Sequence, residues 1–150
     1  MDRGEMDEAI YRQHKHDLIR YATVLVGPSD AEDVLSAVIA RVYKSRRTLS
    51  DLDEPRPYLM KAVFHESLDR KKRKQTLPLV DQAIEPTKSR PEVLEAVKEL
   101  PVQQRAVVFL TYWMGMPSDE AARYMGCQPS TARRYLHLAR KKLEGALADA

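Results

Sequence analysis

The residues best suited to chemistry lie in the last third of the chain, Ser118-Asp-Glu-Ala-Ala-Arg-Tyr-Met-Gly-Cys-Gln-Pro-Ser-Thr-Ala-Arg-Arg-Tyr-Leu-His-Leu-Ala-Arg-Lys-Lys-Leu143. No acidic residue occurs from Gln128 to Lys142, while Ser130, Thr131, Arg133, Arg134, His137 and Arg140 recur along that stretch. Guanidinium groups donate paired hydrogen bonds to guanine edges, and hydroxyls serve bases or phosphates. This is binding chemistry directed at duplex DNA. The segment predicts two helices: Ser118 caps the first, with Asp119 and Glu120 in its opening turn, and Gly126 makes the corner. Pro129 takes the first position of the second. Ala132, Leu136 and Ala139 fall on the core side, so the polar set faces outward, as in a helix-turn-helix whose second helix enters the major groove.

A second constellation lies upstream. Tyr58, Lys61 and His65 precede an unbroken basic run, Arg70-Lys-Lys-Arg-Lys74. An aromatic beside a cationic track suits single-stranded DNA, whose bases stack while its phosphates are neutralised. By spacing alone Tyr58 reads more readily as a core residue than as a stacking platform. His65 stands equally well as a solvated residue or as a donor to a base.

Signals for catalysis are missing. His14 and His16 are two apart, which on a helix points the imidazoles roughly opposite ways, so no metal site is expected. There is no glycine-rich phosphate loop, no HExxH and no nucleophile elbow. Cys127 at the helix corner reads as a small apolar residue rather than a reactive thiol. The expectation is a non-enzyme without cofactor or metal.

Composition agrees. Hydrophobic residues at 43% and charged ones at 31% are ordinary for a folded soluble chain, and a net charge of +3 makes local clustering matter more than the total. One cysteine excludes an intrachain disulfide. A charged N-terminus and the lack of a long apolar run argue against a signal peptide or membrane span, so a cytoplasmic protein is expected.

The elements that must position these residues are helical. Ile10, Leu18, Tyr21, Ala22 and Leu25 mark a helix over 6–26, ended by Gly27-Pro28. Ser29 and Glu32 form a capping-box pattern before a stripe of Val34, Leu35, Val38, Ile39, Val42 and Tyr43. After an Asp, Ser and Pro-rich loop over 46–57, a third helix spans about 58–72 with Leu59, Ala62, Val63 and Leu68 inside. Residues 75–90, with Pro78 and Pro86, read as a linker in which Leu77, Leu79, Val80 and Ile84 could dock. Beyond Pro91, one helix holds Val93, Leu94, Val97 and Leu100. The next follows Pro101, holds Ala106, Val107, Leu110 and Trp113, and stops at Gly115. The fold class is all-α, two small helical domains (1–74 and 91–150) joined by a flexible linker (75–90), the second a helix-turn-helix.

Asp30-Ala-Glu-Asp33 opening a helix, Tyr58-Leu59 eleven residues before Asp69, and Leu100-Pro-Val-Gln-Gln-Arg105 ahead of a helix-turn-helix together resemble an extracytoplasmic-function (ECF) sigma factor, over about residues 6–145. The resemblance implies sigma-2 and sigma-4 type domains, with core RNA polymerase and promoter DNA as partners and an anti-sigma factor as a further one. It implies that Asp30, Glu32, Asp33 and Ser36 meet the polymerase clamp helices. Arg56, Tyr58, Lys61, His65, Arg70, Lys71 and Arg73 would capture the −10 element, and Ser130, Thr131, Arg133, Arg134, His137 and Arg140 would read the −35 element. The chain departs from the family at His65 (commonly Asn), Tyr58 (Trp), Ser36 (often Gln) and Ser130 (often Gly). Two other readings follow from the same residues: a sigma-like decoy that binds an anti-sigma factor without initiating, and a stand-alone helix-turn-helix repressor.

Overall fold

A computed structural model describes residues 3–45, 48–76 and 92–148, and the described residues contain helices and no strand. The helices are α1 (Arg3–Val26), α2 (Pro28–Lys44), α3 (Pro55–Thr76), α4 (Glu92–Lys98), α5 (Val102–Val108), α6 (Ser118–Met125) and α7 (Pro129–Ala148). A single 3₁₀ turn, Leu49–Asp51, precedes α3, and Phe109–Trp113 continue α5 as a π-helical turn. Most of the expected linker lies outside the described residues, with its hydrophobic positions Leu77, Leu79, Val80 and Ile84; residues 75 and 76 belong to α3.

Gly27 separates α1 from α2. Its φ of 91° is open to glycine and costly for other residues. Gly27 is also the residue before α2, with Pro28 in the first turn and no side-chain cap bond, so the expected Ser29–Glu32 capping box does not form. Proline presets φ for the opening turn and draws the start one residue upstream, leaving Ser29 already helical. Ser118 does not cap α6 either: Pro117 holds that position, in an extended conformation and without a side-chain bond. Gly126, at φ 74°, closes α6 in the left-handed conformation and makes the corner as expected.

One contiguous core joins the N-terminal and C-terminal helices. Leu18, Tyr21, Ala22 and Leu25 of α1, Val34, Leu35 and Val38 of α2, and Leu59 and Val63 of α3 pack with Ala106, Val107 and Leu110. Ala132 and Leu136 of α7 belong to it, and Ala139 is likewise fully buried. Met60 and Phe64 are buried beyond the expected set, and Tyr58 is half-buried against the core. Three expected core positions face out: Tyr43 (68% exposed), Val93 (51%) and Trp113 (64%). The π-turn explains Trp113. An extra residue in the turn rotates the following side chains by roughly one position, so a 3.6-residue stripe through Ala106 and Leu110 no longer carries Trp113 inward. Tyr43 lies at the end of α2, where Val42 takes the inward place and Tyr43 becomes the wall of a surface groove.

Candidate nucleic-acid interface

The α7 face is built by register. Ala132, Leu136 and Ala139 are 0%, 7% and 0% exposed, which turns Ser130, Arg133, Arg134, His137 and Arg140 to solvent and leaves Thr131 half-buried. Arg133 lies 3.6 Å from Asp119 of α6. That pair is exposed and contributes little, but it holds the guanidinium at the corner. Arg140 is committed more firmly: its Nε donates to the Tyr112 hydroxyl at 2.5 Å, and its guanidinium stacks over that ring at 5.6 Å. The π-turn thus braces one member of the basic face. Sequence reasoning missed Tyr112, whose only signal is an aromatic pair, Tyr112-Trp113, at the end of a helical stripe.

On α2, Glu32, Asp33 and Ser36 are exposed and Asp30 is half-buried. Glu32 and Ser36 line a groove of about 440 Å³ between α1 and α2, with Tyr11 and Lys15 on one side and Ile39 and Tyr43 on the other. Burial there, and then Glu32, push the Tyr11 phenol upward from its ordinary pKa. The Asp33 backbone carbonyl accepts from Arg70 of α3 at 3.4 Å.

The α3 residues do not form one cationic track. Arg70 and Arg73 lie 3.2 and 3.9 Å from a Glu66 oxygen, and Arg41 of α2 lies 2.8 Å from the other. Glu66 is only 2% exposed, so the guanidinium groups offset the cost of a buried carboxylate. Lys71 is half-buried beside them. Glu66 went unnoticed inside the basic stretch, although its spacing of four from Arg70 favours a helical ion pair.

Arg56, Lys61 and His65 form a second set that faces α6. Arg56 lies 3.4 Å from Asp17, donates to the Met114 sulfur at 3.8 Å and stacks over the Tyr124 ring at 5.9 Å. The Lys61 side chain runs so close to Gly126 that a Cβ there would stand 2.5 Å from its Cε. His65 Nε2 is 3.3 Å from the Met125 carbonyl, which accepts its proton in the Nε2–H tautomer. Burial, then Arg56, pull the nearby His14 below its ordinary pKa against the opposing pull of Asp17. Burial raises the Cys127 thiol, consistent with an unreactive side chain packed against the core.

Two segments of the chain match known families over most of its length. Residues 10–76 match Sigma-70 region 2 and residues 90–143 match Sigma-70 region 4. The chain belongs to the ECF sigma factors. It is 29% identical to the RNA polymerase sigma-E factor of Streptomyces coelicolor, over 93% of this chain and 85% of that protein. It is 26% identical to the ECF RNA polymerase sigma factor SigL of Mycobacterium tuberculosis, over 94% of this chain and 88% of the relative. Among solved structures, it resembles the sigma factor RpoE of Bartonella quintana in complex with the anti-sigma factor NepR, with a TM-score of 0.71 at 18% identity, covering 94% of this chain and 96% of that one. At that identity the likeness concerns the fold. The function of this sigma factor is transcription initiation, with DNA binding through its helix-turn-helix. Among the described residues no helix is long and apolar enough to cross a membrane.

Proposed function

We propose that the protein binds core RNA polymerase through the α1–α2 groove and directs it to promoters by two DNA contacts, one to each half of the chain. In this reading residues 1–74 and 91–150 act as separate domains joined by the 75–90 segment. Glu32 and Ser36, with Asp30 and Asp33 beside them, meet the polymerase. Ser130, Thr131, Arg133, Arg134, His137 and Arg140 read the −35 duplex. Arg56, Tyr58, Lys61, His65, Arg70, Lys71 and Arg73 take the −10 element as it melts, a step driven by capture of unstacked bases at a few kcal/mol each.

The observation that carries this reading is the α7 register: Ala132, Leu136 and Ala139 are buried while Ser130, Arg133, Arg134, His137 and Arg140 are exposed on the same helix. That geometry suits a helix lying in a major groove and has no use in a chain that only sequesters a partner protein. By analogy with the RpoE–NepR complex, an anti-sigma factor is a further proposed partner. The test is run-off transcription with purified core polymerase on genomic fragments. A discrete set of transcripts is expected. A decoy gives core or anti-sigma binding without transcripts, and a repressor binds a palindromic operator without polymerase.

A further inference from the structure

We propose that Glu66 is a positioning residue of the promoter surface. It gathers Arg41 of α2 with Arg70 and Arg73 of α3 into one fan of guanidinium groups for DNA phosphates, which makes Arg41 a DNA-contacting residue. This rests on the assignment above of Arg70 and Arg73 to the −10 element. The two oxygens of Glu66 serve different helices. Oε2 faces the Arg41 guanidinium at 2.8 Å, while Oε1 lies 3.2 Å from Arg70 Nε and 3.9 Å from Arg73 Nη2. Positions 66, 70 and 73 are four and three apart, so they share one side of α3. Arg70 also donates to the Asp33 carbonyl of α2 at 3.4 Å, a second tie between the same two helices.

A buried carboxylate needs a counter-charge, and one guanidinium supplies it. This carboxylate has three. Its side chain is 3% exposed, whereas those of Arg41 and Arg73 are 54% and 66% exposed. Asp69 lies 4.0 Å from Arg41, but it is half exposed, so solvent screens it and the cluster stays cationic. The exposed Lys44, three residues beyond Arg41 on α2, extends the positive margin. An ion pair made for stability alone buries both charges together. Here the anion is inside and the cations reach the surface, an arrangement that suits an anionic ligand from outside the chain.

The guanidinium chemistry fits phosphate. Each group has five donors in a planar fork, and a contact to one carboxylate oxygen leaves others for a second acceptor. Arg41 meets Glu66 and Asp69 most closely through a single nitrogen, Nη2. Long arginine side chains lose rotamer freedom when they bind, and a fan fixed beforehand loses less. The helical period separates this role of α2 from its other one. Position 41 is two residues from both Ile39 and Tyr43, which wall the groove beside Glu32 and Ser36, so Arg41 stands on the side of α2 away from that groove.

The experiment uses holoenzyme formed with purified core polymerase, on a promoter fragment identified by run-off transcription, and measures binding across a salt series. Each phosphate contact contributes about 0.7–0.9 to the slope of log K against log salt. Arg41→Ala is expected to flatten the slope by about that amount and to pull down core polymerase as the parent does. In a Glu66→Gln background the same change is expected to flatten it only about half as much, because Arg41 is no longer held in the fan. Arg41→Lys keeps a charge beside Glu66 and so protects the fold; lacking the fork, it is expected to fall between parent and alanine variant. Urea unfolding of each variant shows that folded protein is compared. Parent slopes in both Arg41 variants, or equal flattening in the two backgrounds, overturn the fan. Loss of core binding in Arg41→Ala places that residue on polymerase and overturns it as well. Unsubstituted protein that binds core yet gives no transcript overturns the functional reading, and the ligand assigned to the fan with it.

Discussion

Arg105→Ala probes the seam between the N-terminal and C-terminal helices most directly. The side chain is 8% exposed, and its guanidinium donates to Leu100 O at 2.8 Å within its own half and to Val24 O at 3.2 Å and Leu25 O at 2.9 Å across the seam. Burial alone lowers its pKa, so the carbonyl dipoles stand in for lost hydration. A hydrogen bond to a charged group contributes about 1.5–3 kcal/mol. The two cross-seam bonds therefore hold roughly 3–6 kcal/mol gross, and return of the guanidinium's desolvation cost leaves a net loss of about 2–4 kcal/mol. Because Pro28 cannot serve Val24, the alanine variant also orphans that carbonyl. Urea unfolding followed by circular dichroism gives the stability change, and alkylation of the single native thiol, Cys127, follows exposure of the seam. Cys127 lies near enough to Tyr21 to add to the rise in that phenol's pKa, which burial dominates. Arg105→Lys keeps the charge but lacks the planar fork, so it should fall between the two. If Arg105→Ala unfolds within about 0.5 kcal/mol of the parent, a typical surface-substitution effect, and its thiol reacts at the parent rate, the assigned role of Arg105 is wrong.

Three further outcomes are expected. Arg133→Ala and Arg134→Ala should each weaken binding to a −35 duplex by about 1–3 kcal/mol per lost bidentate base contact, with core polymerase pull-down unchanged; equal loss of core binding would refute the division of surfaces. Tyr21→Phe should raise the unfolding free energy by about 1 kcal/mol, because it removes a buried hydroxyl that has no partner, and a loss of stability in thermal denaturation would reveal an unseen bond. His14 is held below its ordinary value of 6.5, so the unfolded chain takes up the proton first. Stability from this group is present above about pH 6.5 and lost as pH falls through the lower folded value. His14→Gln should flatten the acid side of a melting-temperature profile, and an unchanged slope would count against the shift.

Much of the fold was legible in local pattern. The breaks at Gly27, Pro101 and Gly126 and the buried face of α7 follow from backbone chemistry and helical period, which act within a few residues. Neither Ser29 nor Ser118 caps its helix: Pro28 in the first turn starts α2 one residue before Ser29, and Pro117 itself occupies the cap position of α6. Trp113 was misplaced because a π-turn breaks the 3.6-residue period, and no feature of its flanking residues announces that turn. At the candidate site, the α7 residues were found by register, whereas Tyr11, Lys15 and Tyr112 became visible only when separate helices met.

The chain alone determined an all-helical protein with a basic recognition helix, since charge placement and apolar period are written in consecutive residues. Tertiary structure decided what the remaining cations do. Arg70 and Arg73 gather with Arg41 around the buried Glu66, Arg105 completes a helix end eighty residues away, and Arg56, Lys61 and His65 turn toward the helix-turn-helix corner. The reason is electrostatic: a side chain's charge is fixed by its type, but its partner is whichever dipole or carboxylate the folded chain brings within a few ångströms, and contacts of that range are made by packing.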